Sequence, residues 1–548
     1  MDKTKDLNGS SSAENDAIAG SSNDDKYRIY ASVAFMVVVL VIGLPMWWKT
    51  TEVYRVSLPY SDIHDLSESL IQINLTVGIF THKPERSALL IEELNNAFKN
   101  SDLWNIQFDQ IPQIEGADKI KTPAALEAMI LKHYPVKTGD FIFIEWTNLQ
   151  EDVLLTTDRS ALIKPDTTSS KLQNVLNINI LQTHRMRAIL TEDEDERRTM
   201  TKNSPPQLQY DVIISVLNPR PDLMDVKWNV QLATKTYIQP FLDAVSEISN
   251  FTLKTQWKYQ LPIDGNLKQI RDASKLGRHY ALHDTSMPHI ITSIEKNLGA
   301  GITDNSVINM VVYVPSCDIA PIHIYKDKDV KATRNKVDSF ISPKWGGVII
   351  SNPPEEACRA YNENLEKVSF YINTNDVMQI MLYQLHKLLD IHVDVTLAGV
   401  KADDVDQISP RTWEYDAFIR RSVVNHIITS THTLQSLIQL LDEISYIVIN
   451  DDVGLAVNEA YEEILKAKLH LQNGDLLKAS THAKKAFASS EKAFFDASLL
   501  AQLYFPDEQK YAIYIPLFLP IMVPVVSSLS MLKKYYGASK AATKLKTN

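Results

Sequence analysis

Two long uncharged segments, one near each end of the chain, are the most apolar parts of the sequence. The first covers residues 29–48 and the second covers residues 511–532. At about 1.5 Å per residue, a helix of either length crosses the roughly 30 Å hydrocarbon core of a membrane. Met46, Trp47 and Trp48 end the first segment, where a cleaved signal peptide has small side chains. The pattern therefore predicts two retained transmembrane helices.

The second segment contains a proline at every fourth position, namely Pro516, Pro520 and Pro524. This spacing puts the three rings near one face of a helix, where each proline removes a backbone donor and collides with the preceding turn. We expect a kinked or locally unwound helix. Either the membrane tolerates these prolines, or their freed carbonyls face a partner helix or a lipid headgroup. The second alternative makes the three residues candidates for membrane-helix packing or lipid contact.

The charges that flank the two segments predict their orientation. Five lysines and no acidic residue follow the second segment, which places this end in the cytosol by the positive-inside rule. A chain with two spans has both termini on one side, so residues 49–510 are expected in the lumen. Lys544 and Lys546 near the end form the K-x-K-x-x arrangement of a retrieval signal. The predicted location is the endoplasmic reticulum membrane, with both termini cytosolic and a large lumenal domain.

Between the two segments, short β-type runs alternate with amphipathic helical runs. The first part predicts strands at residues 75–80, 104–111 and 140–146, with helices at 87–99 and 124–134. The next part predicts strands at 210–217, 226–232, 307–314 and 347–351, a helix at 238–248, and loops at 264–274, 326–344 and 352–364. Helical periodicity dominates from residue 376, with a long helix at 422–448 and a hairpin of helices at 457–471 and 476–494.

These patterns predict an α/β lumenal region of mixed sheets with flanking helices, followed by a helical bundle, with one transmembrane helix near each terminus. The predicted segments are a cytosolic disordered tail at 1–28, transmembrane helix 1 at 29–48, a lumenal α/β subdomain at 49–200, a second sheet-containing lumenal subdomain at 201–375, a lumenal helical region at 376–510, transmembrane helix 2 at 511–532 and a cytosolic Lys-rich tail at 533–548.

Charge and cysteine content narrow the classes of function. The formal net charge of -11 argues against a nucleic-acid partner, because neutralising phosphates requires a basic face. Cys317 and Cys358 are the only two cysteines, which excludes a fold built on a disulfide framework and any Cys-rich zinc module. In an oxidising lumen, an internal disulfide, a bond to another subunit and two free thiols all remain open.

No familiar catalytic motif occurs in the sequence, which lacks a G-x-S-x-G elbow, a Walker A loop and an H-E-x-x-H helix. His279 and His283 are four residues apart and could share a helix face, but no nearby Glu completes a protease site. Cys317 is close in sequence to His323. The segment 345–347, Trp-Gly-Gly, fits either the entry to a strand or a ligand loop. We therefore predict no catalytic residue, no metal site and no cofactor.

Two triplets match the acceptor pattern for N-glycosylation. They begin at Asn74 (Asn-Leu-Thr) and at Asn250 (Asn-Phe-Thr), and both lie within the predicted lumenal region. Asn74 sits in an alternating apolar run, which suggests a strand. Asn250 follows a helical pattern near an expected loop, so we favour it as the modified position.

Several short segments together resemble one known family. They are LPYS at 58–61, SVLNP at 215–219, DVKW at 225–228, QPFL at 239–242, PKWGG at 343–347, ISYIVINDDV at 444–453 and YFPDEQKYAIYIPLFLPIMVPV at 504–525. In this order, spread over the whole chain, they are similar to the PIG-S subunits of GPI transamidase. The resemblance implies that Asn250 corresponds to a lumenal glycosylation position, whereas Asn74 falls where the match is weak.

The resemblance implies a noncatalytic subunit of the endoplasmic-reticulum complex that transfers preassembled GPI anchors onto proteins with a C-terminal signal. The implied partners are a caspase-like cysteine protease (PIG-K), which carries the nucleophile, together with PIG-T, PIG-U and GPAA-type subunits, the membrane and GPI lipid. Two alternatives stay open. One is a lumenal enzyme centred on His279, His283 or Cys317, and the other is a cargo or quality-control receptor of the early secretory pathway.

Overall fold

The computed structural model of this chain describes residues 27–66, 70–117, 120–191, 207–263, 267–271, 278–298, 303, 305–326, 334, 336–364, 367–403, 410–444, 447–499 and 507–545. The first 26 residues of the predicted cytosolic tail, the predicted subdomain boundary at 200/201 and Lys546 lie outside these residues. The chain divides into two compact units. The larger unit comprises Pro59–Gln435 and Val457–Glu491, and the smaller unit comprises Met1–Leu58, Ser436–Ala456 and Lys492–Asn548.

The first sheet of the larger unit arises from the alternation of apolar runs and amphipathic helices. Its strands β1 to β5 are Ile73–Phe80, Trp104–Gln110, Phe141–Glu145, Val153–Leu155 and Ser160–Ile163, and β16 is Val400–Ala402. The strand order is β16-β4-β5-β3-β1-β2, and every neighbouring pair is parallel except β4 with β5. Parallel neighbours need crossover connections, which the helices Pro84–Phe98 and Pro123–His133 provide.

The second sheet of the larger unit has five strands in the order β13-β14-β11-β6-β8. These strands are Ser339–Ser342 (β13), Gly346–Ile350 (β14), Ser306–Tyr313 (β11), Gln209–Asn218 (β6) and Asn250–Tyr259 (β8). Only β13 is antiparallel to its neighbour, so the other four strands end at the same edge of the sheet. Ligands of α/β sheets bind at such carboxyl-terminal edges.

Two smaller sheets accompany the second sheet. Met224–Lys227 (β7) pairs in parallel with Val368–Tyr371 (β15). A three-stranded sheet has the order β12-β10-β9, with strands Ile322–Tyr325, Arg278–His283 and Lys268–Arg271. The larger unit is thus a set of mixed sheets, as the sequence predicts.

Fifteen α-helices can be bounded within the described residues. They are Tyr27–Lys49 (α1), Tyr60–His64 (α2), Pro84–Phe98 (α3), Pro123–His133 (α4), Ser169–Val175 (α5), Thr183–Leu190 (α6), Val230–Ala233 (α7), Gln239–Val245 (α8), Met287–Leu298 (α9), Glu355–Asn364 (α10), Thr374–Leu388 (α11), Thr412–Glu443 (α12), Asp451–Gln472 (α13), Leu476–Phe494 (α14) and Asp507–Leu545 (α15). Val38–Gly43 within α1 is π-helical, as are Leu176–Ile180 and Thr234–Ile238.

The core of the first sheet explains why its strands are recognisable from the sequence. Phe80 and Ile142 project from β1 and β3 against Leu126 and Ile130 of α4, and all four side chains are fully buried or nearly so. Burying a side chain of this size stabilises the fold by about 1.5–3 kcal/mol relative to leaving it exposed. A strand buried in this way reads as a continuous apolar run, which is the pattern seen in the first four residues of FIFIE in β3.

Most of the predicted elements are confirmed. The strands β1, β2, β3, β6, β11 and β14 and the helices α3, α4, α13 and α14 lie where the patterns put them, within a few residues. The long helix predicted at 422–448 begins ten residues earlier and ends earlier, as Thr412–Glu443. Asn74 lies in β1, as expected.

The strand predicted at 226–232 is wrong beyond Lys227. The strand β7 ends there, and Asn229 begins the short helix α7, because its side-chain oxygen accepts a hydrogen bond from the backbone nitrogen of Leu232 at 3.1 Å. Asparagine is among the preferred helix N-caps. The predicted helix 238–248 is likewise shorter, since α8 ends at Val245.

Three predicted loops contain regular structure, which corrects those assignments. Lys268–Arg271 is β9, Ser339–Ser342 is β13 and Glu355–Asn364 is α10. The strand β8 was also missed, so Asn250 is the first residue of a strand rather than part of a loop. These strands carry polar residues at many positions because edge strands are exposed, and their alternation is correspondingly weak.

The Trp-Gly-Gly segment at 345–347 is a strand entry. Gly346 begins β14 with φ at +149°, and a Cβ atom there would lie 1.8 Å from the carbonyl oxygen of Asn309 on β11. A Cβ atom at Gly347 would lie 2.3 Å from Oε1 of Gln384, whose amide nitrogen bonds the carbonyl of Val348 at 3.3 Å. Both glycines allow neighbouring groups to approach the strand closely.

The substitution Gly346→Ala should therefore destabilise the larger unit. The added methyl group meets backbone rather than a flexible side chain, so we expect the free energy of unfolding to fall by roughly 3 kcal/mol or more. Thermal unfolding of the purified chain measures this loss. Gly537→Ala is the control, since no heavy atom lies within 4 Å of a Cβ atom there. Equal melting temperatures for the two variants would contradict the close contact.

Candidate functional site

The helix α1 lies near the N-terminus and shows that the first apolar segment is helical. Of the helices that the structure describes, this 23-residue helix is the one that meets the length and composition needed to cross a membrane. Its apolar side chains are exposed within the chain, with Val41 65% exposed and Met46 67% exposed. Water does not favour such a surface, whereas lipid does.

The three prolines lie in α15. The sequence predicts a kinked or locally unwound helix. The helix runs from Asp507 to Leu545 without a break at Pro516, Pro520 or Pro524, so it is not unwound there. A proline nitrogen has no hydrogen, and each ring therefore leaves the carbonyl four residues earlier without its helical donor. Beyond the last proline, the hydroxyl of Ser528 donates to the carbonyl of Pro524 at 2.7 Å.

Aromatic side chains join α1 and α15 within the smaller unit. The ring of Trp47 meets the ring of Phe518 edge to face, with centroids 4.9 Å apart. It meets the ring of Tyr514 in the same way at 5.9 Å. Edge-to-face pairs of this kind contribute about 0.5–1.5 kcal/mol beyond the area they bury. The two apolar helices therefore pack together at the level of Trp47.

The chain that leaves α1 is held by backbone pairing with the segment before α13. The backbone nitrogen of Val56 donates to the carbonyl of Ile449 at 3.1 Å, and the nitrogen of Ile449 donates to the carbonyl of Tyr54 at 3.0 Å. The hydroxyl of Tyr54 donates to Asp451 at 2.9 Å, and this interaction raises the pKa of Tyr54. We call residues 54–56 and 447–454 the junction.

The sequence ISYIVINDDV supplies the junction for local reasons. Ile447 and Ile449 are fully buried, and Asn450 caps α13 by accepting from the backbone nitrogen of Val453 at 2.8 Å. Gly454 lies in the first turn of α13, where a Cβ atom would come within 2.6 Å of the side chain of Val56. The junction therefore needs a residue without a side chain at this position.

Cys317 and Cys358 form a disulfide with each other, which resolves the alternatives that the sequence leaves open. Cys317 follows β11, and Cys358 lies in α10, which follows β14. Both residues are buried, at 7% and 8% exposed. The bond therefore ties together two segments that follow neighbouring parallel strands, and neither cysteine is available as a thiolate nucleophile.

The histidines considered as catalytic candidates lie in a buried group. His279 and His283 are on the strand β10, so the idea that they share a helix face is wrong. Nε2 of His279 lies 2.7 Å from the hydroxyl of Tyr325, and Nδ1 of His323 lies 2.8 Å from Asp338. The three histidines are 1–7% exposed.

This buried group suits a structural role better than a catalytic one. A base paired with a carboxylate can activate a nucleophile, but rings that are 1–7% exposed present little surface to a substrate. Among the described residues, no group of three or more His, Cys, Asp or Glu side chains is arranged to hold a metal ion. The hydrogen bonds to Tyr325 and Asp338 satisfy polar groups inside the fold.

The two glycosylation candidates differ in accessibility. Asn250 is exposed at the start of the edge strand β8, and Thr252, two positions on, is exposed on the same face. Asn74 is half-buried in β1, where its side-chain nitrogen donates to the carbonyl of Gln472 and its oxygen accepts from Asn105 at 3.0 Å. Enzymatic transfer of a glycan needs a free amide, so the geometry favours Asn250.

Comparison with known proteins shows which family this chain belongs to. A family model described as PIG-S, phosphatidylinositol-glycan biosynthesis class S protein, matches residues 34–539. The chain belongs to the PIG-S family. A relative from Homo sapiens, named GPI-anchor transamidase component PIGS, is 32% identical over 91% of this chain and 94% of its own length. A relative from Saccharomyces cerevisiae, named GPI transamidase component GPI17, is 23% identical over 90% of each chain.

Several segments that carry the resemblance to PIG-S have structural roles. SVLNP ends β6, DVKW covers the end of β7 and PKWGG enters β14. ISYIVINDDV contains residues 447–453 of the junction. Sequence reasoning missed the pairing of residues 54–56 with Ile449, because a contact across nearly 400 positions leaves no periodic pattern. Lys544 lies in the last turn of α15.

The junction predicts a measurable effect of Gly454→Val. The new side chain collides with Val56, so amides at residues 56 and 449 should exchange with solvent about tenfold faster. Hydrogen exchange followed by mass spectrometry of the two peptides measures this change, with Gly537→Ala as the control. Unchanged exchange at both amides would show that the junction is not held by this contact.

Removing the two glycosylation acceptors one at a time separates them. We expect Asn250→Gln to abolish one glycan in cells, because its amide is exposed, and Asn74→Gln to leave the glycan mass unchanged. The mobility shift on treatment with an endoglycosidase measures both. A shift lost only in the Asn74 variant would overturn the preference for Asn250.

Proposed function

We propose that this chain is a noncatalytic subunit of a GPI transamidase complex in the endoplasmic reticulum membrane. The observation that carries this proposal is the match to the PIG-S family over residues 34–539, together with relatives named as GPI transamidase components over about nine-tenths of the chain. In this role the chain supports assembly of the complex and the transfer of preassembled GPI anchors onto proteins with C-terminal signals.

The chemistry of the described residues supports a noncatalytic role. Transfer of a peptide carbonyl to an amine through a covalent intermediate needs an activated nucleophile. The two cysteines of the chain are bonded to each other. His279 and His323 are buried, and their rings lie within hydrogen-bond distance of Tyr325 and Asp338. The nucleophile is then supplied by another subunit, a caspase-like cysteine protease of the PIG-K type. PIG-T, PIG-U and GPAA-type subunits complete the proposed set of partners.

The proposed topology has two spans, with both termini in the cytosol. The second span is residues 511–532 of α15, which contain no charge and expose Ile513, Leu519 and Val526 by 56–60%. A helix with such a surface is stable in lipid but unfavourable in water. The lysines that follow it favour the cytosolic side, and Lys544 and Lys546 provide the proposed retrieval signal.

A lumenal position of residues 49–510 is supported by two features of the larger unit. Disulfides persist in oxidising compartments, and Cys317 and Cys358 are joined. Asn250 is exposed as an acceptor for a glycan, which is added in the lumen. Within this region we propose an α/β subdomain at 49–200, a second sheet-containing subdomain at 201–375 and a helical region at 376–510.

In this proposal α15 is the surface that meets partner helices or GPI lipid. The prolines at 516, 520 and 524 leave the carbonyls of Ala512, Pro516 and Pro520 without helical donors. In a membrane, a partner helix or a polar headgroup can satisfy such carbonyls, and the alternative is an unsatisfied polar group in hydrocarbon. Because the three prolines are four residues apart, these free carbonyls lie along one face of α15, which we call the polar stripe.

The proposal is tested by purifying the tagged chain from membranes in mild detergent and identifying bound proteins by mass spectrometry. We expect a caspase-like protease and the other transamidase subunits in stoichiometric amounts. Recovery of the chain alone, under conditions that preserve other membrane complexes, would contradict the proposal and favour a cargo receptor or a lumenal enzyme.

Replacing Pro516, Pro520 and Pro524 together by leucine tests the role of α15. Leucine restores three backbone N–H donors, so the three free carbonyls regain hydrogen bonds inside the helix and no longer need a partner. We therefore expect several-fold weaker co-purification of the other transamidase subunits, with an unchanged melting temperature of the larger unit.

The triple variant Ile513→Leu, Val523→Leu and Val526→Leu is the matched control, because it changes apolar shape and leaves the carbonyls as they are. Normal co-purification and normal GPI anchoring with the proline variant would exclude this role of the stripe.

A further inference from the structure

An open groove of about 540 Å³ lies where β7, β8 and β15 end. Its lining includes Lys227, Trp228, Asn229, Trp257, Tyr371 and Thr374. The volume is within the roughly 300–1,000 Å³ that small-molecule sites occupy. The position is also typical of a binding site, because β6 and β8 are parallel and both reach their carboxyl ends here.

Flat aromatic surfaces dominate the groove. The ring of Trp257 stacks on the ring of Tyr259 with 17° between their planes and 6.3 Å between their centroids. Tyr259 is 57% exposed and Tyr371 is 69% exposed. Large aromatic side chains that stay exposed together are uncommon on a folded surface and usually mark a binding site.

The polar groups beside these rings are neutral hydrogen-bonding groups. Nε1 of Trp228 donates to the hydroxyl of Thr374 at 3.1 Å, which fixes the indole ring. The side-chain oxygen of Asn229 accepts from the backbone nitrogen of Leu232, which leaves its two amide hydrogens for another acceptor. Hydroxyl and amide groups of this kind can both donate and accept hydrogen bonds at the rim of the groove.

Lys227, the cation among the described residues that line the groove, does not make the groove an anion site. Nζ of Lys227 lies 3.2 Å from Asp225 and 5.5 Å from the centroid of the Tyr371 ring. The carboxylate offsets its charge, so a phosphate or a carboxylate ligand would gain little from it. The chemistry of the lining is therefore aromatic and neutral.

We propose that this groove binds a neutral pyranose ring of an oligosaccharide. A pyranose presents a face of polarised C–H groups, which an aromatic face attracts through its quadrupole, and a rim of hydroxyl groups, which amide and hydroxyl side chains can bond. The rings of Trp257 and Tyr371 stack against the face of the sugar, and the side chains of Asn229 and Thr374 form hydrogen bonds with its hydroxyl groups. An apolar peptide fits less well, because the groove is open and its rim is polar.

This proposal does not rest on the assembly role of the chain. The sugar could belong to a glycolipid or to a glycan on a protein, and both present neutral pyranoses. Binding is therefore measured directly, on the full-length chain in a detergent without a sugar headgroup, since alkyl glycosides would compete for the groove.

Saturation-transfer NMR with mannotriose, cellotriose and chitotriose tests the proposal. We expect saturation to reach the C–H protons of one ring face in at least one trisaccharide. Plain hexoses binding better than chitotriose would favour a hexose-rich glycan, and the reverse would favour N-acetylated sugars at the base of a protein-linked glycan. Combining Trp257→Ala with Tyr371→Ala should weaken binding by about tenfold or more, because two stacking faces are lost.

Tyr383→Ala is the matched control. Tyr383 is 51% exposed, and Nζ of Lys387 lies 5.8 Å from the centroid of its ring, which repeats the arrangement of Tyr371 and Lys227 outside the groove. The Tyr383→Ala variant should bind the sugar as well as the native chain does. Trp257→Phe keeps an aromatic face at low risk to folding and should retain most of the binding.

Three results would overturn the proposal. The first is that none of the three sugars receives saturation. The second is that saturation is equal for the double variant and the native chain. The third is that the native chain binds an extended apolar peptide but no sugar, and the double variant loses the peptide.

Discussion

The backbone pairing of residues 54–56 with Ile449 holds the smaller unit together at the end of α1. The two backbone bonds, at 3.0 and 3.1 Å, connect residues almost 400 positions apart. Gly454 permits this approach because a side chain there would meet Val56 at 2.6 Å. Bringing the ends of so long a segment together costs conformational entropy, and the backbone bonds and buried side chains of the junction must offset this cost. In return, the geometry at the end of α1 is fixed. The packing of Trp47 on Tyr514 and Phe518 then places α1 against α15.

The larger unit contributes surfaces rather than an exposed reactive centre among its described residues. Its buried polar groups are used internally, as in the pairing of His323 with Asp338. Its cysteines are joined to each other, so the bond fixes the segments that follow β11 and β14. Its exposed features include an edge strand with a candidate glycan acceptor at one end and aromatic rings at the other. These features suit a subunit that positions other molecules.

The sequence predicts the elements whose burial is one-sided or complete. The strand FIFIE and the helices α3 and α4 are recognisable because most of their buried positions are apolar; Glu145 and Ser87 are the polar exceptions. The lysines of the C-terminal tail and the two uncharged segments are equally easy to recognise. The edge strand β8 was missed because water contacts both of its faces, which removes the alternation that marks a strand. Asn229 begins a helix within a run that reads as a strand, because capping depends on one side chain rather than on periodicity.

Contacts between distant parts of the chain leave no such local signal. The disulfide could not be chosen from the sequence because the two cysteines can bond to each other, bond to another subunit or stay free, and the internal bond depends on where α10 packs. The junction and the groove likewise form only when distant parts of the chain come together. Residues such as Val56, Gly454, Trp257 and Tyr371 look ordinary in the sequence and acquire a role only when folding brings their partners to them.

The central claim is that this chain contributes position and not chemistry. The most direct test measures, in the same preparations, the amount of assembled transamidase and the rate of GPI transfer per assembled complex. The comparison is between the native chain and a chain whose junction is weakened by Gly454→Val. The account predicts fewer complexes, each transferring GPI at the native rate. A normal number of complexes with a much lower rate for each would contradict it, because the chain would then take part in the reaction itself.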